Sequence, residues 1–199
     1  MRLLIASRNA HKVREIQAIL GQLPELELVA LDGYAVPEVT EDQTTFLGNA
    51  TKKALETAGH SGEIALADDS GLMVEALNGA PGVYSARYAG ADAGSGALCA
   101  RLLRELKNVP PEKRAARFMT VLVVASPERK ILYTAEGTCA GYILEEMRGN
   151  NGFGYDPVFY YPPLKKTFAE LTPAEKNQCS HRQRALQNLL NKIKNPDIV

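Results

Sequence analysis

The spacing of apolar and polar residues divides the first part of the chain into short strands. Apolar runs at 2–6, 26–31, 63–67 and 72–77 predict four buried strands, and the fourth is expected to turn at Asn78-Gly79. The run at 63–67 leads directly into Asp68-Asp69, so this pattern places two adjacent carboxylates at the end of a strand.

Apolar positions that recur every three or four residues predict helices between and after these strands. The predicted helices are 12–20 with a stop at Gly21, 44–58 with a stop at Gly59, 96–109 with a stop at Pro110-Pro111, and one within 172–194. The last opens with a capping signature: Thr172 is the N-cap, Pro173 takes the first helical position, and Glu175 follows three residues after the cap.

Two longer runs, 116–126 and 130–144, predict strands joined by a turn around Pro127. Helices and strands therefore interleave first, and a strand-rich stretch follows. This order predicts an α/β protein with a mixed sheet. Because no linker, repeat or low-complexity tract interrupts the 199 residues, we expect one domain, with or without two lobes.

The composition mainly excludes classes of function and kinds of site. Lys and Arg together number 23, as do Asp and Glu, and this balance argues against broad nucleic-acid or membrane binding. The three cysteines lie far apart and only three histidines are present, so neither a disulfide framework nor a zinc site is indicated. The N-terminus is polar by Ser7 and lacks a signal-peptide core, so a cytoplasmic location is expected.

The loop between the first strand and the first helix, "SRNAHK", is a candidate phosphate site. Backbone N–H groups at a helix N-terminus attract anions, and Lys12 would add a mobile positive charge. The P-loop spacing is absent, and an ordinary turn in which Ser7 or Asn9 caps the helix explains the same residues.

Two groups of acids are candidate metal ligands. Glu38, Glu41 and Asp42 precede the second helix, where acids commonly serve as caps or dipole partners. Asp68 and Asp69, followed by a serine and a glycine, are harder to explain by packing. Mg²⁺ typically takes one or two carboxylates together with water and phosphate oxygens, and a carboxylate there could also activate water.

Two further segments carry chemistry only in combination with these. In "RGNNGFGYDPVF", glycines frame Phe153 and Tyr155, which suits the stacking of a flat ring, but a simple turn before a strand is equally compatible. In "AEKNQCSHRQRAL", the donors Lys176, His181 and Arg182 could contact a phosphate or a carbonyl-bearing base, or form a solvated helix face.

Taken together, these segments resemble the inosine triphosphate pyrophosphatase family, whose bacterial branch comprises the XTP/dITP diphosphatases. The motifs that carry the resemblance occur in the family's order: "SRNAHK", "ADDSGL", "GAPGVYSARY", "GFGYDPVF" and "AEKN…SHR". The resemblance covers nearly the whole chain. It implies an elongated mixed sheet, with helices in two lobes around a central cleft, and it implies that 1–199 form a single two-lobed domain.

The resemblance also implies a role for each matching residue. The triphosphate would be held by Ser7, Asn9, Ala10, His11 and Lys12, with Lys53 facing the phosphates. Glu41 and Asp69 would coordinate Mg²⁺, with Asp69 as the general base supported by Asp68, and Ser70 would touch the nucleotide. The base pocket would comprise Phe153, Gly154, Tyr155, Asp156, Lys176, His181 and Arg182. The resemblance further implies a homodimer.

Three positions depart from the family pattern. Gly48 stands where Glu is common, and Arg8 and His11 stand where small residues are common. A bulkier, more basic loop would alter phosphate affinity rather than the class of reaction.

The implied reaction is Mg²⁺-dependent hydrolysis of XTP, ITP or dITP to the monophosphate and pyrophosphate, which would remove deaminated purines from the nucleotide pool. Selectivity would follow from hydrogen bonding: a 6-oxopurine accepts at O6 and donates at N1, and adenine reverses both. Sites built on such bonds reject the wrong base by about 10⁴–10⁵. The alternatives are a related pyrophosphatase for pyrimidine or modified-base triphosphates and a nucleotide sensor without turnover.

Overall fold

Seven strands and five α-helices form the regular structure of residues 1–195, the part of the chain that the computed structural model describes. The strands are β1 (Arg2–Ile5), β2 (Glu27–Ala30), β3 (Ala65–Val74), β4 (Ala115–Ala125), β5 (Ile131–Ile143), β6 (Phe159–Tyr161) and β7 (Lys166–Thr167). The helices are α1 (Ala10–Leu20), α2 (Phe46–Ser61), α3 (Ser95–Glu105), α4 (Pro173–Cys179) and α5 (His181–Lys194).

The strands form one sheet in the order β2-β1-β3-β4-β5-β6-β7. β1 pairs in parallel with β2 and with β3, whereas β6 pairs antiparallel with β5 and with β7. Parallel pairs at one edge and antiparallel pairs at the other make the sheet mixed, so the predicted α/β class with a mixed sheet is confirmed.

The prediction that Asp68-Asp69 end a strand is wrong. β3 runs without interruption from Ala65 to Val74, so the two carboxylates lie in its interior. The predicted fourth strand is only the second half of β3, and a 3₁₀ turn over Glu75–Leu77 replaces its end. The strand continues because its residues are almost all buried in the sheet, and Ser70-Gly71 is a turn signal that the backbone does not use.

Helix ends also differ from the prediction. α2 extends past Gly59 to Ser61, and its C-cap Gly62 adopts φ 71° and donates its N–H to the Ala58 carbonyl. The predicted C-terminal helix is two helices, because Ser180 takes an extended conformation between α4 and α5. The capping box at Thr172 and Glu175 is confirmed. Within residues 1–195, no helix has the length and apolar character that crossing a bilayer requires.

Among the described residues, one compact unit comprises 1–69, 120–137 and 181–195. Its core packs Leu3 and Ile5 of β1, Ile16 of α1, Leu122 of β4 and Leu189 of α5, all of which are fully buried. Burying such side chains is worth about 1.5–3 kcal/mol each, so this core fixes the strands and helices that carry acids and cations of the unit.

The other compact unit comprises residues 70–119 and 138–180. Phe118, Phe159 and Phe168 form its aromatic centre, with ring centroids 4.6–5.8 Å apart. Arg114 is also buried, and its guanidinium donates to three main-chain carbonyls, among them that of Leu106 at the end of α3. The buried charge therefore joins the segment that follows α3 to the end of β5 through main-chain carbonyls.

Candidate active site

The β1–α1 loop shows how the first candidate site is built. Asn9 is the N-cap of α1, and its Oδ1 accepts the N–H groups of His11 at 3.0 Å and Lys12 at 3.3 Å. Ser7 Oγ accepts the Asn9 N–H at 3.2 Å. The capping interpretation is thus correct for this chain. Because the first turn of α1 has no acidic residue, its positive end also remains suited to an anion.

The two unusual residues of this loop have partners of their own. Arg8 donates to the Val36 carbonyl at 2.7 Å, so its guanidinium holds the segment that follows β2. His11 Nδ1 lies 3.1 Å from an Arg14 nitrogen. The departure of Arg8 from the family pattern therefore has a structural role within its own unit.

Asp68 is buried and its Oδ2 is held by two cations. Lys12 Nζ lies at 3.2 Å and Arg182 Nη2 at 3.1 Å from this oxygen. Burial opposes the charge of Asp68, but Lys12 and Arg182 outweigh it and hold the pKa of this carboxyl well below its usual range. Arg182 also pairs with Glu15 of α1. Asp68 is therefore ionised at neutral pH and organises the cations around it.

Asp69 has a different environment although it is the next residue. Its Oδ2 accepts a hydrogen bond from Nδ2 of Asn49 at 3.0 Å, a neutral partner. Burial raises the pKa of Asp69 to about 6, Lys53 and Lys12 counteract part of the rise, and Glu41 adds to it. A carboxylate with a pKa near the working pH can both accept and release a proton, which suits a general base.

Helix α2 supplies a further cation of this region, Lys53. Lys53 Nζ lies 2.5 Å from Glu41 Oε1, and the preceding Lys52 pairs at 2.9 Å with the exposed Asp42. Burial opposes the charge of Lys53, but Asp68, Glu41 and Asp69 together raise its pKa. Burial likewise opposes the charge of Glu41, and Lys53 lowers its pKa nonetheless. The unit thus gathers acids and cations whose charges depend on one another.

Mg²⁺ is the ion that the resemblance implies, and Glu41 and Asp69 are the carboxylates assigned to it. Within residues 1–195, no group of three or more His, Cys, Asp or Glu side chains is arranged to hold a metal. Glu41 and Asp69 interact electrostatically, and the Glu41 side chain is 30% exposed. Two carboxylates fit Mg²⁺, because this ion completes its shell with waters and substrate phosphates. The residues present therefore fit the ion.

The second candidate site lies in the other unit, at the loop before β6. Asp156 is buried, and its Oδ2 accepts the Phe153 N–H at 2.8 Å and the Lys176 ammonium at 2.6 Å. Lys176 Nζ also lies 4.7 Å from the centroid of the Phe153 ring. Gly152 adopts φ 73°, and a Cβ there would come within 2.0 Å of Asp156 Oδ2. Only glycine permits this closed loop.

Neighbouring segments of the same unit anchor this loop. The Gly154 N–H donates to Ser95 Oγ at 2.8 Å, and the buried Tyr155 hydroxyl donates to the Ser85 carbonyl at 2.9 Å. Cys99 Sγ lies 3.4 Å from the Gly154 carbonyl oxygen. Ser85 lies within the "GAPGVYSARY" motif, so one function of that motif is to support the aromatic loop.

The structure brings most of the candidate residues into these two groups. The first unit holds Ser7, Asn9, Ala10, His11, Lys12, Glu41, Lys53, Asp68, Asp69, His181 and Arg182; the second holds Ser70, Phe153, Gly154, Tyr155, Asp156 and Lys176. Arg182 was predicted to act in the base pocket, and its observed partners are Asp68 and Glu15. Sequence analysis missed Asn49, Glu15, Ser85 and Ser95. A signal for Asn49 was present, since it precedes Lys53 by one helical turn.

Comparison with known proteins adds a family match. Residues 3–192 match the sequence model of the Ham1 family. A dITP/XTP pyrophosphatase of Desulforamulus reducens is 49% identical, with 96% of this chain and 94% of that protein covered. One of Thermosynechococcus vestitus is 51% identical, with 94% and 92% covered.

Solved structures give the same result. A HAM1 protein from Coxiella burnetii superposes with a TM-score of 0.88 at 40% identity, covering 98% of each chain. The Ham1 protein of Staphylococcus aureus gives a TM-score of 0.86 at 36% identity, covering 99% of this chain and all of that one.

Proposed function

The chain belongs to the Ham1 family, and from that premise we propose that it hydrolyses dITP, XTP and ITP to the nucleoside monophosphate and pyrophosphate. The family predicted from the sequence is confirmed by the family match and by relatives about half identical over nearly the whole chain. It is a nucleoside-triphosphate pyrophosphatase, an enzyme that would cleanse the nucleotide pool of deaminated purines. The observation that carries the proposal is Asp69, a buried carboxylate with a pKa raised to about 6 beside two lysines.

In this proposal Asp69 accepts the proton of the attacking water. Lys12 and Lys53 supply positive charge where phosphate oxygens become more negative, which is the main requirement in phosphoryl transfer. Asp68 remains ionised and holds Lys12 in place. Ser7, Asn9, Ala10 and His11 contribute the loop and the helix end that suit an anion, so they are assigned to the phosphates.

Glu41 and Asp69 are proposed to hold Mg²⁺. In the protein without the ion, Lys53 is the cation that interacts with both carboxylates. When bound, the ion would neutralise phosphate charge and orient a water molecule. The protein's own contribution is Lys53, which pairs with Glu41 and interacts electrostatically with Asp69.

The base is assigned to the second unit. Phe153 offers an aromatic ring, and Gly154, Tyr155 and Ser70 would contribute contacts near it. Lys176 donates toward O6 of a 6-oxopurine in this proposal. The other two predicted donors, His181 and Arg182, belong to the first unit, where Arg182 contacts Asp68 and Glu15. Asp156 was predicted to read the N1–H. The support for Asp156 is its bond to Lys176, which fixes the donor. Adenine presents a donor where Lys176 requires an acceptor, so ATP would be rejected.

The assembly and the location are also proposed from the resemblance. We expect a homodimer in the cytoplasm, with a small-molecule nucleotide as the substrate and with neither nucleic acid nor membrane as a partner. Light scattering coupled to size-exclusion chromatography tests the dimer, since a mass near that of one 21.6 kDa chain would contradict it.

A substrate panel tests the proposed function. Pyrophosphate release is measured from ITP, XTP, dITP, ATP, GTP and dUTP with Mg²⁺, and Asp69→Asn is the control. Release from the deaminated purines, abolished by the substitution, is the expected result. Tight binding of ITP without release would identify a sensor instead, and preferred turnover of dUTP would identify a pyrimidine-directed enzyme.

A further inference from the structure

Asn49 is a polar residue in the first turn of α2, and its side chain is buried at 1% exposure. A buried amide requires hydrogen-bond partners, and Asn49 has one on each side of its amide group. Its Nδ2 donates to Asp69 Oδ2 at 3.0 Å, and its Oδ1 accepts the backbone N–H of Gln43 at 2.9 Å. The partners fix the orientation of the amide, because a main-chain N–H can only donate and an ionised carboxylate can only accept.

These two bonds join segments that are far apart in the sequence. Asp69 lies in the middle of β3, whereas Gln43 lies in the irregular segment that precedes α2, two residues after Glu41. One side chain therefore connects the proposed general base to the segment that carries the other proposed metal ligand. A neutral amide makes this connection without adding charge to the region.

Two other residues of α2, Gly48 and Lys53, support the same arrangement. Gly48 lets the segment approach closely, since a Cβ there would lie 2.9 Å from the Cβ of Gln43. Lys53 lies one turn after Asn49, so both side chains project from one face of α2, and Lys53 pairs with Glu41. The helix therefore holds the segment 41–43 at two points, by an amide and by an ammonium.

We infer that Asn49 is a positioning residue that fixes the carboxylate of Asp69 and ties it to the segment carrying Glu41. The role in catalysis rests on the proposed function, whereas the contact between residues 49 and 69 does not. Partners of this kind, one step removed from the reacting groups, typically change metal affinity or activity by about 10–100-fold when they are substituted.

A double-mutant cycle tests the contact without any activity. Thermal unfolding is measured at pH 8 with EDTA for the wild type, Asn49→Asp, Asp69→Asn and the double variant that exchanges the two side chains. Asn49→Asp keeps an acceptor for Gln43 but sets two carboxylates against each other, so its Tm is expected to fall by about 5 °C or more. The exchanged pair restores a donor and an acceptor and should recover at least half of the loss.

Kinetics with ITP test the positioning role. Asn49→Asp is expected to lower kcat by about 10–100-fold while KM changes by less than about threefold, because Lys12 and the aromatic loop are untouched. Thr57→Val is the matched control, since Thr57 is also buried on α2, two turns further along. It should leave kcat unchanged even if it lowers the Tm.

Each outcome decides a separate question. Independent effects of the two substitutions on Tm would overturn the contact, and an Asn49→Asp enzyme with wild-type kcat would overturn the positioning role. If Asn49→Asp does not fold, the exchanged pair carries the test beside Asn49→Asp/Asp69→Ala, which also removes the carboxylate at 69 but offers no donor. A direct contact predicts that the exchanged pair folds and is the more stable of the two. Absence of wild-type turnover would instead refute the proposed function and leave the thermal cycle valid.

Discussion

Lys53 is expected to lower the pKa of Asp69, and replacing it with Met should reveal by how much. Burial raises the pKa of Asp69 to about 6, and Lys53 is the strongest of the influences that counteract burial. A neighbouring opposite charge lowers a carboxyl pKa by about 1–3. The Lys53 side chain is 14% exposed, so solvent screens part of its charge and we take the lower end of that range.

The expected result is a pKa for Asp69 of about 7 in Lys53→Met, compared with about 6 in the wild type. The measurement is a ¹³C NMR titration of carboxyl-labelled aspartate in metal-free protein, with the Asp69 signal assigned by its loss in Asp69→Asn. Lys52→Met is the matched control, because Lys52 carries the same charge but pairs with the exposed Asp42. Its titration should match that of the wild type.

Two results would refute this reasoning. If Asp69 titrates near 4 in the wild type, burial does not dominate its environment and its assignment as a base near neutral pH fails. If Lys53→Met and Lys52→Met titrate alike, the charge of Lys53 does not reach Asp69.

Three further predictions follow from the same contacts. The folded-state pKa of Asp69 is raised from 3.8 to about 6, so ionising this carboxyl costs stability as the pH rises through that window. Asp69→Asn should therefore have a free energy of unfolding at pH 8 that exceeds the wild-type value by up to about 3 kcal/mol. Urea unfolding should show this difference disappearing below pH 4. Asp156→Asn leaves the buried Lys176 without its carboxylate partner; the ratio of kcat/KM for ITP over ATP should fall at least about tenfold, and an unchanged ratio would contradict its role. Gly152→Ala should destabilise the fold by at least about 1 kcal/mol more than Gly154→Ala. Both glycines have a positive φ, but only a Cβ at position 152 would clash with Asp156. Equal midpoints of urea unfolding for the two variants would contradict this.

The fold class could be predicted from the sequence because periodicity and capping are local signals. The capping box at Thr172 and Glu175 is one example, since both of its hydrogen bonds involve residues three apart. The end of α4 at Ser180 had no such signal, because neither glycine nor proline marks it. The continuous strand β3 was missed for the opposite reason: Ser70 and Gly71 are turn formers, and burial in the sheet overrides that preference.

The candidate residues could be selected from motifs, but their partners could not. The adjacent acids Asp68 and Asp69 look equivalent in the sequence, yet one is held by two cations and the other by an amide. That difference depends on Asn49 and Arg182, which lie 20 and 114 residues away from the acids they contact. Long-range contacts of this kind determine which carboxylate is permanently charged and which can exchange a proton.

The most direct test of the central claim is the identity of the products formed from ITP, followed by ³¹P NMR with Mg²⁺ and with ATP as the comparison. Our account predicts inosine monophosphate and pyrophosphate, formed from ITP in strong preference to ATP and abolished by Asp69→Asn. Inosine diphosphate with inorganic phosphate, or equal cleavage of ATP, would contradict it.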